Sequence, residues 1–149
     1  MSAAMMQRLY LRPSVALMTV LLLAQDPARY RELKRVVDHN TGHMHGVRGM
    51  NAFTQYALRE CVTEKDFPVL GELLEDKDNI TAMTASYVLA DMGDSGRAVI
   101  ETHIKTAVPV ARRMMFEETL AYVRAPSYRP ILKYPLTDAD RRRIRGCRK

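Results

Sequence analysis

Residues 66–104 read DFPVLGELLEDKDNITAMTASYVLADMGDSGRAVIETHI, and the spacing within them decides the fold. Phe67, Val69, Leu70, Leu73 and Leu74 make an apolar stripe of helical period, which EDKDN at 75–79 interrupts. Ile80, Met83, Tyr87 and Val88 then recur at i, i+3, i+7 and i+8, and Asn79 is the predicted N-cap of that second helix. MGDSG at 92–96 reads as a turn, with Gly93 ending one helix in a left-handed residue and Asp94 or Ser95 capping the next. Beyond it, Val99, Ile100, His103 and Ile104 repeat Val69, Leu70, Leu73 and Leu74 at an offset of 30. Two helices, a short turn and a recurrence near 30 residues predict a helical-hairpin repeat.

The same offsets extend outward. Tyr56 and Leu58 in NAFTQYALRECVT (51–63) fall 31 before Tyr87 and Leu89, while Met114 and Leu120 in RRMMFEETLAYV (112–123) fall 31 after Met83 and Leu89. Leu33, Val36 and Val37 lie 37 before Leu70, Leu73 and Leu74, and Ala16, Leu17, Leu23 and Ala24 lie 66 before Ala82, Met83, Leu89 and Ala90.

Residues 66–106 resemble the short HEAT-like helical repeat. The likeness lies in an apolar first helix ending at an acidic turn, a second helix of small and apolar residues, and a Gly-Asp turn leading onward. It extends more loosely over 13–65 and 107–125. Two departures stand out: Asn79-Ile80 replaces the Val-Arg that often starts the second helix, and Ser95 replaces the usual Pro after the Gly-Asp turn. The first removes an arginine that often braces neighbouring repeats. The resemblance implies an all-α, right-handed stack of about four helical hairpins over residues 1–125, a HEAT-like α-solenoid. An irregular basic arm, 126–149, would follow.

RPSVALMTVLLLAQDPARY (12–30) bears on the number of repeats. No acidic residue precedes Asp26, and Arg8 and Arg12 stand before an apolar run from Val15 to Ala24, the plan of a leader cut after Ala24. A mitochondrial presequence shares that composition. The uncharged run from Pro13 to Gln25 is too short for a membrane span. Against cleavage, residues 13–24 would be the second helix of an incomplete first repeat, covering the helix predicted from Ala28 to Val37. The buried helix is the preferred reading, with a turn at Asp26-Pro27.

A chain of 149 residues is long enough to bury a sizeable core in one domain. Its net charge of +6 is unevenly placed. Residues 126–149 hold eight basic side chains against Asp138 and Asp140; the whole chain has 23 against 17, so residues 1–125 are balanced at 15 each. In the arm, Pro126, Pro130 and Pro135 with Tyr128 and Tyr134 describe an extended strap. TDADRRRIRGCRK then reads as a short helix capped by Thr137, with acids at its start and arginines at its end. A charge block at a terminus marks an interaction tail.

Catalytic and metal chemistry find little footing. GDSG at 93–96 resembles the nucleophile region of trypsin-like proteases, yet helical stripes flank it where a β-barrel triad scaffold is needed. DHNTGHMHGVRG (38–49) holds His39, His43 and His45, but no Cys or carboxylate completes a zinc set, so it reads as an inter-helix loop on a binding face. His103 takes the repeat position of Leu73 and reads as a core or groove-edge residue. Met114 and Met115 read as core filling. DKDN at 76–79 lacks the spacing and closing Glu of a calcium loop. Asn79-Ile80-Thr81 is a glycosylation sequon that matters only in a secretory compartment. Cys61 and Cys147 are too far apart for a metal knuckle and fit a reducing compartment.

The expected function is non-catalytic: a scaffold or accessory subunit that binds protein subunits of a larger assembly, intracellular and in a mitochondrial setting, with no cofactor, metal or small-molecule substrate. The expected partner-binding residues are His39, His43, His45 and Arg48 in the loop, with Tyr128, Arg129, Tyr134, Arg141, Arg142, Arg143 and Arg145 in the arm. Membrane contact stays open. Two alternatives stand beside this reading. One is an RNA-binding structural protein such as a ribosomal subunit, with Arg141 to Arg145 on phosphates, although the neutral body lacks an aromatic stacking motif. The other is an exported inhibitor or immunity-type protein without residues 1–24, for which a Cys61–Cys147 disulfide is expected.

Overall fold

A computed structural model of the protein describes residues 26–41, 47–106 and 109–148. The expected helix at 13–24 lies outside them. The described residues are all-helical, with seven α-helices, two 3-10 turns and no strand.

Helix α1 (Pro27–Thr41) starts where the sequence places the Asp26-Pro27 turn: Asp26 Oδ1 accepts the Arg29 amide at 3.0 Å, and Pro27 needs no donor at the first helical position. Helix α2 (Val47–Cys61) leads through a 3-10 turn (Glu64–Asp66), closed by a Thr63/Asp66 capping box, into the short α3 (Phe67–Leu73). Helices α4 (Asn79–Asp91), α5 (Asp94–Lys105) and α6 (Val110–Arg124) follow.

Two caps differ from expectation by one step. Asp78, not Asn79, caps α4, its carboxylate accepting the Ile80 amide at 3.2 Å. Asn79 is instead the first helical residue, and its side-chain oxygen accepts from Arg112 at 2.8 Å. Gly93 does take a positive φ of 84°, but it is itself the N-cap of α5, with no side-chain cap from Asp94 or Ser95. The GDSG turn serves packing: a Cβ on Gly96 would collide with the Leu89 carbonyl oxygen, so only glycine lets α5 start this close to α4.

The helices lie in two rows. α1, α3 and α5 pack side by side, as do α2, α4 and α6, and within each successive pair the two helices also touch. The core runs between the rows, through Leu33, Leu58, Leu70, Leu73, Val88, Leu89, Ile100 and Phe116, all fully buried. α4 touches α1, α2, α3, α5 and α6. Its small residues make that reach feasible, since Ala82, Ala85, Ala90, Thr81, Thr84 and Ser86 are all buried. Their hydroxyls stay bonded: Thr84 donates to the Ile80 carbonyl at 2.7 Å, and Ser86 meets Thr119 of α6 at 3.2 Å.

Bracing between pairs comes from an arginine the repeat comparison did not single out. Arg112 of α6 donates to the carbonyls of Leu74 and Asp76, satisfying acceptors just past the end of α3. Met114 departs from its expected core position: the buried stripe of α6 is Phe116, Thr119, Leu120 and Val123, which leaves Met114 56% exposed on the opposite face while Met115 packs against the core. No helix of the described residues is long and apolar enough to cross a membrane.

Candidate functional site

After α6 the chain cannot stay helical. Ala125 turns to extended backbone before Pro126, and a strap runs back across the α2–α4–α6 row towards α1. Asp91, at the end of α4, is its first anchor. This carboxylate, 5% exposed, accepts the Tyr128 hydroxyl, the Ile131 amide at 3.0 Å and Arg59 Nε at 2.9 Å. Ile131, in a 3-10 turn (Ile131–Lys133), is 1% exposed and joins the core. Tyr134 is the second anchor, donating to Gln55 Oε1 of α2 at 2.8 Å.

Helix α7 (Asp138–Arg143) forms as expected, with a Thr137/Asp140 capping box. The chain then reaches α1. Arg145 is held by its backbone, its amide donating to Asn40 Oδ1 at 3.1 Å and its carbonyl accepting from Asn40 Nδ2 at 2.8 Å. A residue further, Arg35 donates to the Gly146 carbonyl at 3.4 Å. Cys147 and Cys61 are joined by a disulfide that closes a separation of 86 residues. The two cysteines that the sequence left apart are therefore a pair. Arg29 gathers this corner, donating to Asp66 at 2.8 and 3.1 Å and to the Cys61 carbonyl at 2.8 Å, with Nη1 3.9 Å from Cys147 Sγ.

Between strap and helices lies an open aromatic cleft of about 590 Å³. Phe53 of α2, Tyr87 of α4 and Tyr122 of α6 line it from the body; Arg129, Tyr134 and Leu136 line it from the strap. The rings are edge-on, Tyr87 to Tyr122 at 5.6 Å and Tyr122 to Tyr128 at 5.7 Å between centroids. Burial pushes the Tyr134 phenol well above its ordinary range, and burial with the Asp91 carboxylate does the same for Tyr128. Both phenols therefore stay protonated as donors at any physiological pH.

The expected site residues divide accordingly. Tyr128 and Tyr134 are half-buried and bonded to the body; Arg129, Arg141, Arg142, Arg143 and Arg145 are exposed. Arg145 lies on Asn40, the neighbour of His39; residues 38–41 and 47–49, expected in the inter-helix loop, are instead the end of α1 and the start of α2. His39 is half-buried in the last turn of α1. His43 and His45 lie outside the described residues, and of Arg48 only its place in the first turn of α2 is described. His103 sits half-buried at the edge of α5, its Nδ1 3.1 Å from Glu75 Oε1.

Sequence reasoning missed Asp91, Asn40, Gln55 and the cleft. Asp91 was hidden at the end of a helix, just before the Met92-Gly93-Asp94 turn, where acids are ordinary. Asn40 offered a faint signal, a short polar side chain within a helical stripe, where it competes with the backbone unless it has another task. Comparison with known proteins finds no family profile, no curated protein and no solved structure that matches this chain.

Proposed function

We propose that this chain is a non-catalytic scaffold or accessory subunit, a HEAT-like stack of hairpins that presents its strap to a protein subunit of a larger assembly. The two-row order of α1 to α6 supports the repeat reading, since alternate helices are neighbours as they would be in stacked hairpins. The observation that carries the functional reading is the division within the strap. Its tyrosines and backbone are tied to the body while Arg129 stays exposed at the aromatic cleft and Arg141, Arg142 and Arg143 stay exposed just after Asp140, which lines it. A surface that combines fixed aromatic rings and arginines on ordered backbone has the composition of a protein-binding patch.

The test uses the full chain and whatever protein co-purifies with it from its source. Replacing Arg141, Arg142, Arg143 and Arg145 together with alanine should abolish that association, while a binding constant that does not change sinks the reading. RNA binding by the arm would instead show as affinity for a mixed RNA that falls steeply with log salt, lost in the same variant.

The disulfide favours the exported alternative, because such bonds persist in oxidising compartments and are rare in reducing ones. Intact mass and N-terminal sequencing of the native protein, alkylated without reduction, separate the two. A chain starting at Gln25 with no alkylated cysteine supports export; a chain keeping residues 1–24 with both thiols alkylated rules it out.

A further inference from the structure

We infer that the Cys61–Cys147 disulfide is a redox latch on the outer half of the strap: oxidised, it fixes residues 137–147 on α1 and α2; reduced, it frees them and leaves the rest folded. The inference stands whether or not the arm binds a partner.

The two halves of the strap are held by different means. From Tyr128 to Tyr134 the attachment has its own anchors, a fully buried Ile131 and hydrogen bonds to Asp91 and Gln55, none of which touches the disulfide. From Thr137 onward there is no buried side chain: α7 buries none, and Ile144 and Cys147 are only partly covered. What fixes this half is the disulfide, the Asn40–Arg145 backbone pair, the Cys147 amide on Cys61 Sγ at 2.9 Å and the single longer bond from Arg35. Hydrogen bonds of that kind contribute modestly when the alternative is water. Without the covalent bond, four such contacts, one of them to a sulfur, must hold a segment of 11 residues that carries three consecutive arginines, Arg141 to Arg143.

Both cysteines are half-buried rather than enclosed, so a reductant can reach them. The chemistry is ordinary exchange with a dithiol. One reductant thiolate attacks the Cys61 sulfur, the S–S electron pair departs with Cys147, and the second reductant thiol resolves the mixed disulfide. The reductant ends as its own disulfide, and both cysteines end as thiols. The Arg29 guanidinium, 3.9 Å from Cys147 Sγ, stabilises a departing Cys147 thiolate, and attack at the other sulfur gives the same two thiols. Release removes Asp140 from the rim of the aromatic cleft and gives the arginines free reach.

The experiment is amide hydrogen exchange on the full chain, by NMR, with and without dithiothreitol, alongside far-UV circular dichroism. On reduction the amides of Arg145 and Cys147 should exchange at least about tenfold faster, while the Ile131 amide and the helical signal hold. Cys147→Ser without reductant should give the same pattern. Unchanged protection of Arg145 in either condition overturns the latch. So does loss of Ile131 protection or of helix on reduction, which would make the bond a staple of the whole fold.

Discussion

Residues 67–105 and residues 126–148 belong to one molecule but are held in opposite ways. In the first, side chains from five helices surround α4, and Leu70, Leu73, Val88, Leu89 and Ile100 are all fully buried. In the second only Ile131 is buried, and attachment falls on a few points: Asp91, Gln55, Asn40 and the disulfide. Distributed burial makes one cooperative unit in which every loss is felt globally. Point attachment lets one change detach a segment without unfolding the rest.

The largest effect should come from the distributed region. Phe116 is fully buried between α6 and the core, and Phe116→Ala should cost about 3–5 kcal/mol from lost transfer energy and the cavity left behind. Urea denaturation should show one transition at a much lower midpoint, with every probe moving together. A cost below about 1 kcal/mol would mean that the packing between the two rows is loose.

Asp91→Ala should be next, at about 2–3 kcal/mol, because it leaves Arg59 and the Tyr128 hydroxyl without their acceptor. Arg59 is partly exposed and can recover some hydration, which keeps the loss below that of a fully buried pair. The comparison sharpens in how the loss is distributed: the Ile131 amide should lose its exchange protection while amides in α3 and α5 keep theirs. Equal loss in both regions would show that the strap is part of the core after all.

This contrast also explains what the sequence could and could not convey. The offset of 30 works because Leu70 and Ile100 do the same job, both fully buried on the same kind of helix. On α6 the pattern holds for one residue of two: Leu120 is buried as Leu89 is, but Met114 matches Met83 by counting and lies on the outer face, since the true stripe runs through Phe116 and Leu120. Local chemistry in the strap was equally legible, as the prolines and the Thr137 cap show. Its destination was not. Asn40 and Arg145 are 105 residues apart, and Cys61 and Cys147 are 86 apart; no periodicity links positions that meet by chain reversal. Two lone cysteines carry no spacing signal for pairing, because only the fold brings them together.

The corner where the strap ends can be titrated. Burial opposes ionisation of Asp66, yet the hydrogen bonds from Arg29 and the Thr63 amide outweigh it and hold its carboxyl below the ordinary range. A depressed folded-state value contributes stability that is present above the unfolded value near 3.8 and is lost as pH falls through the folded one. Asp66→Asn should therefore cost about 1 kcal/mol at pH 7, and the gap between variant and parent should close as pH falls below the ordinary carboxylate range. A gap that persists at acid pH would assign the loss to packing instead of charge.

The smallest effect should come from the most charged stretch. Arg141, Arg142 and Arg143 are exposed at the end of α7, where the helix dipole favours them by a few tenths of a kcal/mol each. Replacing all three with alanine should change stability by less than about 1 kcal/mol, because exposed substitutions away from caps and cores do little. Helix content and the Ile131 amide should be untouched. Near-neutrality for folding is what makes the variant informative for binding: a loss of association with a co-purifying protein cannot then be ascribed to a damaged body. A stability loss of several kcal/mol would show that these arginines are structural, and the division between a burial-held body and a point-held strap would fail at α7.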